Sequence, residues 1–527
     1  MDEKDVLPNF KENEAYAGNP MAKLEDALVL CKFGLFHWKL MFTTLLSVYA
    51  TTAVTTTTSY ILPSAECDLE LTMMQKGLLN AIPFLGQICA CMFTGFLTDA
   101  FGRKIFLAGG NVGIFVIAVI GASSQSYVML LTAKLLEGIV MSIVFTATAT
   151  FLTEFVHRDV RDRILVMYSS FMSVAIITAA LVAWAILPQK LDFVLIDGYF
   201  EIHPWNIYLY VNALWSLFAA LMYSQMPESP KFLLSHNQEN KALDVLKYVY
   251  HKNTGNDGES FPITSLNITG IYKETIKVGI KKKVTNALFE VKELFRRPLI
   301  FRLILFSAVT FMCLLVYSAL RLWFPQLSTM IENYQKENYG RQNQFCVMID
   351  DYTSRNVMQS ANVTELEICV PKLAGTETYT NGLILGFVSL LSIILSSSLV
   401  DFFGQKPLIF VFLLLCGVCA GALYWTNSSL QIAIMISATC GFMQAAFSLQ
   451  HSILVRVFPT SVRTMALSLV IMVGRIGSLL GNILFPLMLN TGCMVPFLTL
   501  IVVTWSFALL VYFFPNPKKE NGGTGDR

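Results

Sequence analysis

Polar and apolar positions along the chain segregate into long blocks instead of alternating. Twelve apolar runs approach the length of about 20 residues that a membrane-spanning helix needs. They fall near 38–62, 77–98, 104–123, 127–152, 164–187 and 206–225, then near 299–324, 380–400, 407–426, 429–454, 464–486 and 493–514. The runs break at helix-ending or turn-forming residues such as Pro63, Gly102, Pro188, Pro227, Pro298, Pro407 and Pro459. Two longer polar stretches remain, 226–298 and 325–379. Within the first, 237–252 and 285–297 have helical spacing, as in Ala242, Leu243, Leu246 and Val249. The pattern predicts an all-α membrane protein with twelve transmembrane helices. It divides into a tail over 1–36, six helices over 37–225, a loop with short helices over 226–298, six helices over 299–514 interrupted by the loop 325–379, and a tail over 515–527.

Composition sharpens this picture. Hydrophobic residues make up 54% of the 527 and charged residues 14%, against about 25% charge in soluble proteins. A net charge of +2 gives no reason to expect a nucleic-acid partner. The first 36 residues lack an apolar core with a small-residue cleavage site, so no cleaved signal peptide is expected. Charge is also unevenly placed. Arg103, Lys104, Arg158, Arg161, Arg163, the lysine-rich 231–297, Lys406, Arg456, Arg463, Lys518 and Lys519 all fall in alternate loops. The intervening loops are neutral or acidic, as at Glu66, Asp68 and Glu70, or Asp192, Asp197 and Glu201. Basic loops stay on the cytoplasmic side, which predicts cytoplasmic N- and C-termini in a plasma or vesicle membrane.

With that orientation 325–379 is external. Its Asn362-Val363-Thr364 is then a glycosylation site, and Cys346 and Cys369 are expected to form a disulfide in that oxidising compartment. The Cys416 and Cys419 pair lies inside an apolar run, where small packing residues are the simpler reading.

The chain repeats itself. Asp99-Ala-Phe-Gly102-Arg103-Lys104 follows the second run and Asp401-Phe-Phe-Gly404-Gln405-Lys406 the eighth, 302 residues later. Arg161 after the fourth run and Arg463 after the tenth obey the same offset. Six helices per repeat give both copies the same orientation, hence two parallel six-helix bundles. Glycine permits a tight turn in each copy. The surrounding charges, Asp99, Arg103, Lys104, Glu154, Arg161, Asp401, Lys406 and Arg463, are expected to latch helix ends as a gate, with Glu154 joining Arg158, Arg161 or Arg463.

Gly95-x-Leu97-x-Asp99-x-x-Gly102-Arg103-Lys104 resembles the signature between helices 2 and 3 of the major facilitator superfamily, and Lys134-Leu-Leu-Glu-Gly138 its helix 4 signature with lysine for arginine. Pro227-Glu-Ser-Pro-Lys231-Phe-Leu resembles the segment after helix 6 of sugar and organic ion porters. Phe36-His-Trp38, Leu62-Pro-Ser-Ala-Glu66, Trp184-Ala-Ile-Leu-Pro188, His203-Pro-Trp205 and Leu322-Trp-Phe-Pro325 together look like the synaptic vesicle glycoprotein 2 family. The resemblance runs from about 33 to 514 and implies the major facilitator fold and transport of a small solute. The chain departs from that family at two places. Thr51 and Val54 stand where the family's helix 1 has acids, which puts proton coupling in doubt, and 325–379 is much shorter than the family's external domain.

Ionisable residues inside a membrane usually face a cavity or a partner. Arg475 lies near the middle of its run between glycines, in Gly474-Arg475-Ile-Gly477. It is read as a binder of an anionic or carboxylate-bearing solute, or else as part of an ion pair across the two halves. Thr51, Thr55, Tyr168, Tyr317 and Gln444 are expected to line the same space. Lys134 and Glu137 share a helix face and form either a structural pair or part of a coupling site. Arg321 is placed near a helix end, where it would reach water. No HExxH, GxSxG or Walker sequence occurs, so no enzyme, no cofactor, no metal and no ATP-driven step are expected. The partners expected are the solute and the bilayer, with a monomer as the assembly. Two readings remain: alternating-access transport, or a transport-inactive scaffold or receptor built on the same fold.

Overall fold

The computed structural model describes residues 20–196, 199–266, 294–297, 299–361, 374–458 and 462–515, without the side chains of Asp99 and a few other helical positions. Asn362, Cys369 and residues 285–293 lie outside the described residues.

A short helix, α1 (Pro20–Leu30), precedes six long ones: α2 (Leu35–Ile61), α3 (Met73–Phe101), α4 (Arg103–Ala122), α5 (Tyr127–Glu154), α6 (Arg158–Ile186) and α7 (Pro204–Ser224). A small antiparallel hairpin, β1 (Phe193–Ile196) and β2 (Phe200–Ile202), bridges α6 and α7. Then come α8 (Pro230–Ser235) and α9 (Glu239–Thr254), followed by α10 (Leu299–Glu337) and α11 (Phe345–Ala361). The second set is completed by α12 (Thr376–Phe403), α13 (Gln405–Ala422), α14 (Ser429–Val457), α15 (Arg463–Thr491) and α16 (Met494–Leu510).

Among the described residues ten helices are long and apolar enough to cross a membrane, eleven when α1 and α2, bent by 102°, count as one span. The remaining long helix, α3, carries polar residues on its inward side. Lys76, Asn80, Gln87, Thr94 and Thr98 on it are all buried. Helix α3 packs against α5 and α15, and protein shields these side chains from lipid. The same holds for α2, whose threonines at 51, 52 and 55–58 are all buried.

The 302-residue repeat is visible in backbone detail. Gly102 has φ +101° and Gly404 φ +81°, a conformation that disfavours other residues. Each closes the preceding helix with its own N–H, Gly102 onto the Thr98 carbonyl and Gly404 onto Val400, again 302 apart. Arg161 caps the Val156 carbonyl and Arg463 the Phe458 carbonyl, a further pair at that offset. Two copies of one sequence unit have folded into two copies of one loop.

The helix ends fall into two groups. One, the basic end, carries the glycine turns, α1, α8 and α9. The other carries the β-hairpin and α11. Helix α10 departs from expectation because it runs through Pro325 to Glu337. The disulfide expectation is corrected: Cys346 on α11 bonds Cys493, 147 residues away, not Cys369. Helix α11 folds over the α15–α16 junction, where Asp350 accepts from the Cys493 N–H at 2.8 Å. That sets the two Cα atoms 5.3 Å apart, within bridging range.

Candidate functional site

Arg475 lies midway along α15, and its guanidinium sits 5.8 Å over the ring of Phe145 on α5, in the opposite half. Phe145 also contacts the Tyr168 ring at 6.4 Å. A second arginine shares this layer. Arg321 on α10 is buried, donates to Thr56 Oγ1 at 2.8 Å and Thr55 Oγ1 at 3.2 Å on α2, and lies 5.5 Å over the Tyr317 ring. Tyr317 in turn donates to Gln444 at 3.4 Å. Arg321 and Arg475 act on each other electrostatically.

Of the residues expected to line the site, Arg475, Tyr168, Thr55, Tyr317 and Gln444 thus belong to two linked clusters. Thr51 does not join them. Its hydroxyl donates to the Ser47 and Val48 carbonyls of its own helix. Arg321 corrects the placement near a helix end with access to water. Because α10 continues beyond Pro325, Arg321 stands inside the bundle, bonded to the first half. Phe145 and the specific bond from Arg321 to Thr56 carry no sequence signal. An aromatic in an apolar run carries no signal of its own, and Thr56 is one of four consecutive threonines.

On the first half, Lys134 and Glu137 lie 2.8 Å apart and both are buried. The Lys134 ammonium also reaches the Val54 carbonyl and the Thr57 hydroxyl, each at 3.4 Å. It therefore ties α5 to α2 one residue beyond the threonines that hold Arg321. Helix α2 serves as a neutral cradle for two cations, made of hydroxyls and one carbonyl.

At the basic end the charges are paired differently from expectation. Glu154 lies 3.3 Å from Arg103, not among Arg158, Arg161 or Arg463. Arg161 and Arg158 lie instead 3.0 and 3.6 Å from Glu25 of α1. The reason is that the segment before α2 is not a free tail. Asn253 of α9 donates to the Cys31 and Lys32 carbonyls and accepts from the Phe36 N–H, which docks α1 beside α6. Glu228 accepts from the Lys104 N–H at 3.2 Å, a carboxylate at the positive end of α4, and Arg103 lies 5.1 Å over Phe232. Lys406 donates to the Tyr512 and Phe514 carbonyls. Asp401 is exposed, and a side chain at Gly95 would meet nothing within 4 Å. None of the contacts named at this end joins the two six-helix sets. Glu228→Gln is expected to cost about 0.3–1 kcal/mol, read as a slightly lowered thermal midpoint.

At the other end the halves meet closely. The rings of Tyr60 on α2 and Tyr379 on α12 stack at 6.5 Å. Gly382 on α12 packs directly under the Tyr60 hydroxyl, and Gly386 against Ile177 of α6. Gly77 on α3 packs so that a Cβ would lie 2.9 Å from the Asn482 carbonyl and from Pro486 of α15. Gly382→Leu should disfavour this closure by about 1–3 kcal/mol. Distances between spin labels at Met74 and Leu487 should lengthen in the variant, and unchanged distances would refute the closure role.

The profile of the family described as Sugar (and other) transporter matches residues 39–323. That of the Major Facilitator Superfamily matches residues 343–527. Synaptic vesicle glycoprotein 2B of Rattus norvegicus is 26% identical over 355 residues, which is 64% of this chain and 50% of the relative. Synaptic vesicle glycoprotein 2A of Bos taurus is 28% identical over 271 residues, 51% of this chain and 36% of the relative. The chain thus spans about half the length, or less, of these curated relatives. Among solved structures, the inward open conformation of the xylose transporter XylE from E. coli superposes with a TM-score of 0.60 at 14% identity, covering 91% of this chain and 96% of that one. A D-xylose-proton symporter structure gives 0.60 at 14% identity, covering 91% and 98%. At that identity the likeness is one of fold.

Proposed function

The chain belongs to the sugar (and other) transporter family of the major facilitator superfamily, and we propose that it moves a small polar or organic-ion solute by alternating access, with Arg475 binding an anionic or carboxylate-bearing cargo. The observation that carries the reading is the Arg475 guanidinium itself. It is directed across the bundle at Phe145 of the other half, and among the described residues it has no carboxylate partner. A structural ion pair would need one.

The contacts at the two ends support the same cycle. Tyr60, Gly382, Gly77 and Pro486 close one end, while among the described residues none of the contacts named at the basic end joins the two six-helix sets. That is the arrangement of a transporter whose basic end opens. By the lysine and arginine bias, the basic end and both termini are cytoplasmic, in a plasma or vesicle membrane. Thr51 and Val54 put no acid at the matching positions of α2, which leaves proton coupling there in doubt.

A second reading, a transport-inactive scaffold or receptor, is favoured by one observation. Gln405 replaces the arginine of the first-half turn, and its side chain only donates to Ser452 at 3.0 Å. Uptake by proteoliposomes of pooled organic anions, cations and sugars, with and without a pH gradient, separates the two readings. Uptake lost in Arg475→Ala supports transport at this site, and no uptake by the wild type supports the scaffold.

A further inference from the structure

Three cations and one acid stand where α2, α5, α10 and α15 meet. Lys134 and Glu137 neutralise each other at 2.8 Å. Arg321 and Arg475 remain. Of the helices that face them, α2, α14 and α15 contain no Asp or Glu, and on α5 Glu137 is held by Lys134 and Glu154 by Arg103 at the basic end. The acids of α10 are near its far end, and Glu332 there is engaged by Lys336 at 3.2 Å and by the Gly375 N–H at 2.9 Å. Among the described residues neither arginine is paired with a carboxylate.

Arg321 is the more telling of the two. A guanidinium has five N–H donors, and Arg321 places two of them on the neutral hydroxyls of Thr55 and Thr56. Its Nε is buried with no acceptor. Buried charge is costly without a counter-charge, and a second guanidinium within electrostatic reach raises that cost. The layer therefore carries two positive charges that no described protein group offsets.

We propose that the cargo is a small organic dianion whose two acidic groups are taken one by Arg321 and one by Arg475. This rests on the transport reading for the site and goes beyond it in naming the charge and the second anchor. The Thr55 and Thr56 hydroxyls are the acceptors that a cargo carboxylate or phosphate displaces. An acid on α2 would hold Arg321 permanently, whereas threonine holds it weakly enough to be exchanged. Arg321 joins the two halves through these bonds, so its transfer from α2 to the cargo also loosens a contact that must break when the halves rock apart.

The test is equilibrium binding to the full-length chain in detergent, read from thermal shifts with succinate, glucose 6-phosphate, butyrate and xylose at matched chloride. At least one dianion should bind about tenfold or more tightly than butyrate, since each charge-assisted contact contributes on that scale. Succinate against glucose 6-phosphate distinguishes a dicarboxylate from an organic phosphate. Arg321→Gln should remove the preference for the dianion while leaving butyrate binding. Should that variant not fold, Arg475→Gln reads the same loss from the other anchor.

Neither dianion binding, butyrate or xylose binding as tightly, chloride alone giving the same shift, or a preference surviving in the folded variants would each overturn the proposal. Dianion binding without uptake of any solute would sink the transport reading and leave the two arginines as a dianion-binding site. Uptake of xylose without dianion binding would do the reverse.

Discussion

Replacing Lys134 by alanine should destabilise the protein by about 3–5 kcal/mol, because the buried Glu137 carboxylate loses the one counter-charge it has among the described residues. The lysine also holds the Val54 carbonyl and Thr57 hydroxyl, so the first half would lose a tie between α5 and α2. Thermal unfolding in detergent measures the loss. The double variant Lys134→Met with Glu137→Leu should recover most of it, since removing both charges also removes both desolvation penalties. If the single variant unfolds at the wild-type temperature, the pair is not the anchor described. If the double variant is as unstable as the single, the loss stems from packing and not from charge.

Arg475→Ala should act the opposite way, with little loss of stability and a large loss of binding. The guanidinium contacts an aromatic ring and no carboxylate, so its removal leaves no buried acid behind. A charge-assisted bond to cargo contributes about 1.5–3 kcal/mol, or about 10- to 100-fold in affinity. Titration of the reconstituted chain with the anion it prefers measures this, beside a thermal midpoint. Arg475→Lys should retain part of the affinity, because it keeps the charge but not the planar fork of donors. A variant with wild-type affinity would return Arg475 to a structural role.

Much of the architecture can be read from the chain because lipid imposes a strong rule. Spans must be long and apolar, and the loops between them concentrate charge. The turn at Asp99 to Lys104 and its copy at Asp401 to Lys406 were legible for a further reason. A glycine at positive φ and a capping arginine are local devices, set by neighbours in sequence. Arg475 was legible because a lone charge in the middle of an apolar run has few explanations.

The remainder depends on contacts between distant segments. Arg321 was misplaced because Pro325 reads as a helix end, yet α10 continues to Glu337. A proline inside a membrane helix is tolerated where surrounding groups satisfy the carbonyl freed four residues earlier, and α10 is buried on every side around Pro325, from Ser318 to Glu332. Glu25, Glu228 and Asn253 carry no spacing that marks them. Their roles come from the docking of α1 and α9 against the basic end. The disulfide failed for the same reason: Cys346 and Cys369 share a loop, but helix α11 carries Cys346 to Cys493. On α2 the run Thr55 to Thr58 shows in the sequence only as a set of neutral polar groups. Its specific work, holding Arg321 and Lys134, emerges only when α10 and α5 are packed against it.

Whether this fold carries solute is decided most directly by uptake into proteoliposomes holding the full-length chain. With labelled succinate and labelled glucose 6-phosphate supplied outside, time-dependent, saturable uptake of at least one is expected, abolished in Arg475→Ala and in Gly382→Leu while both variants remain folded. No uptake of either by the wild type, or uptake undiminished in folded Arg475→Ala, would contradict transport through the two-arginine layer.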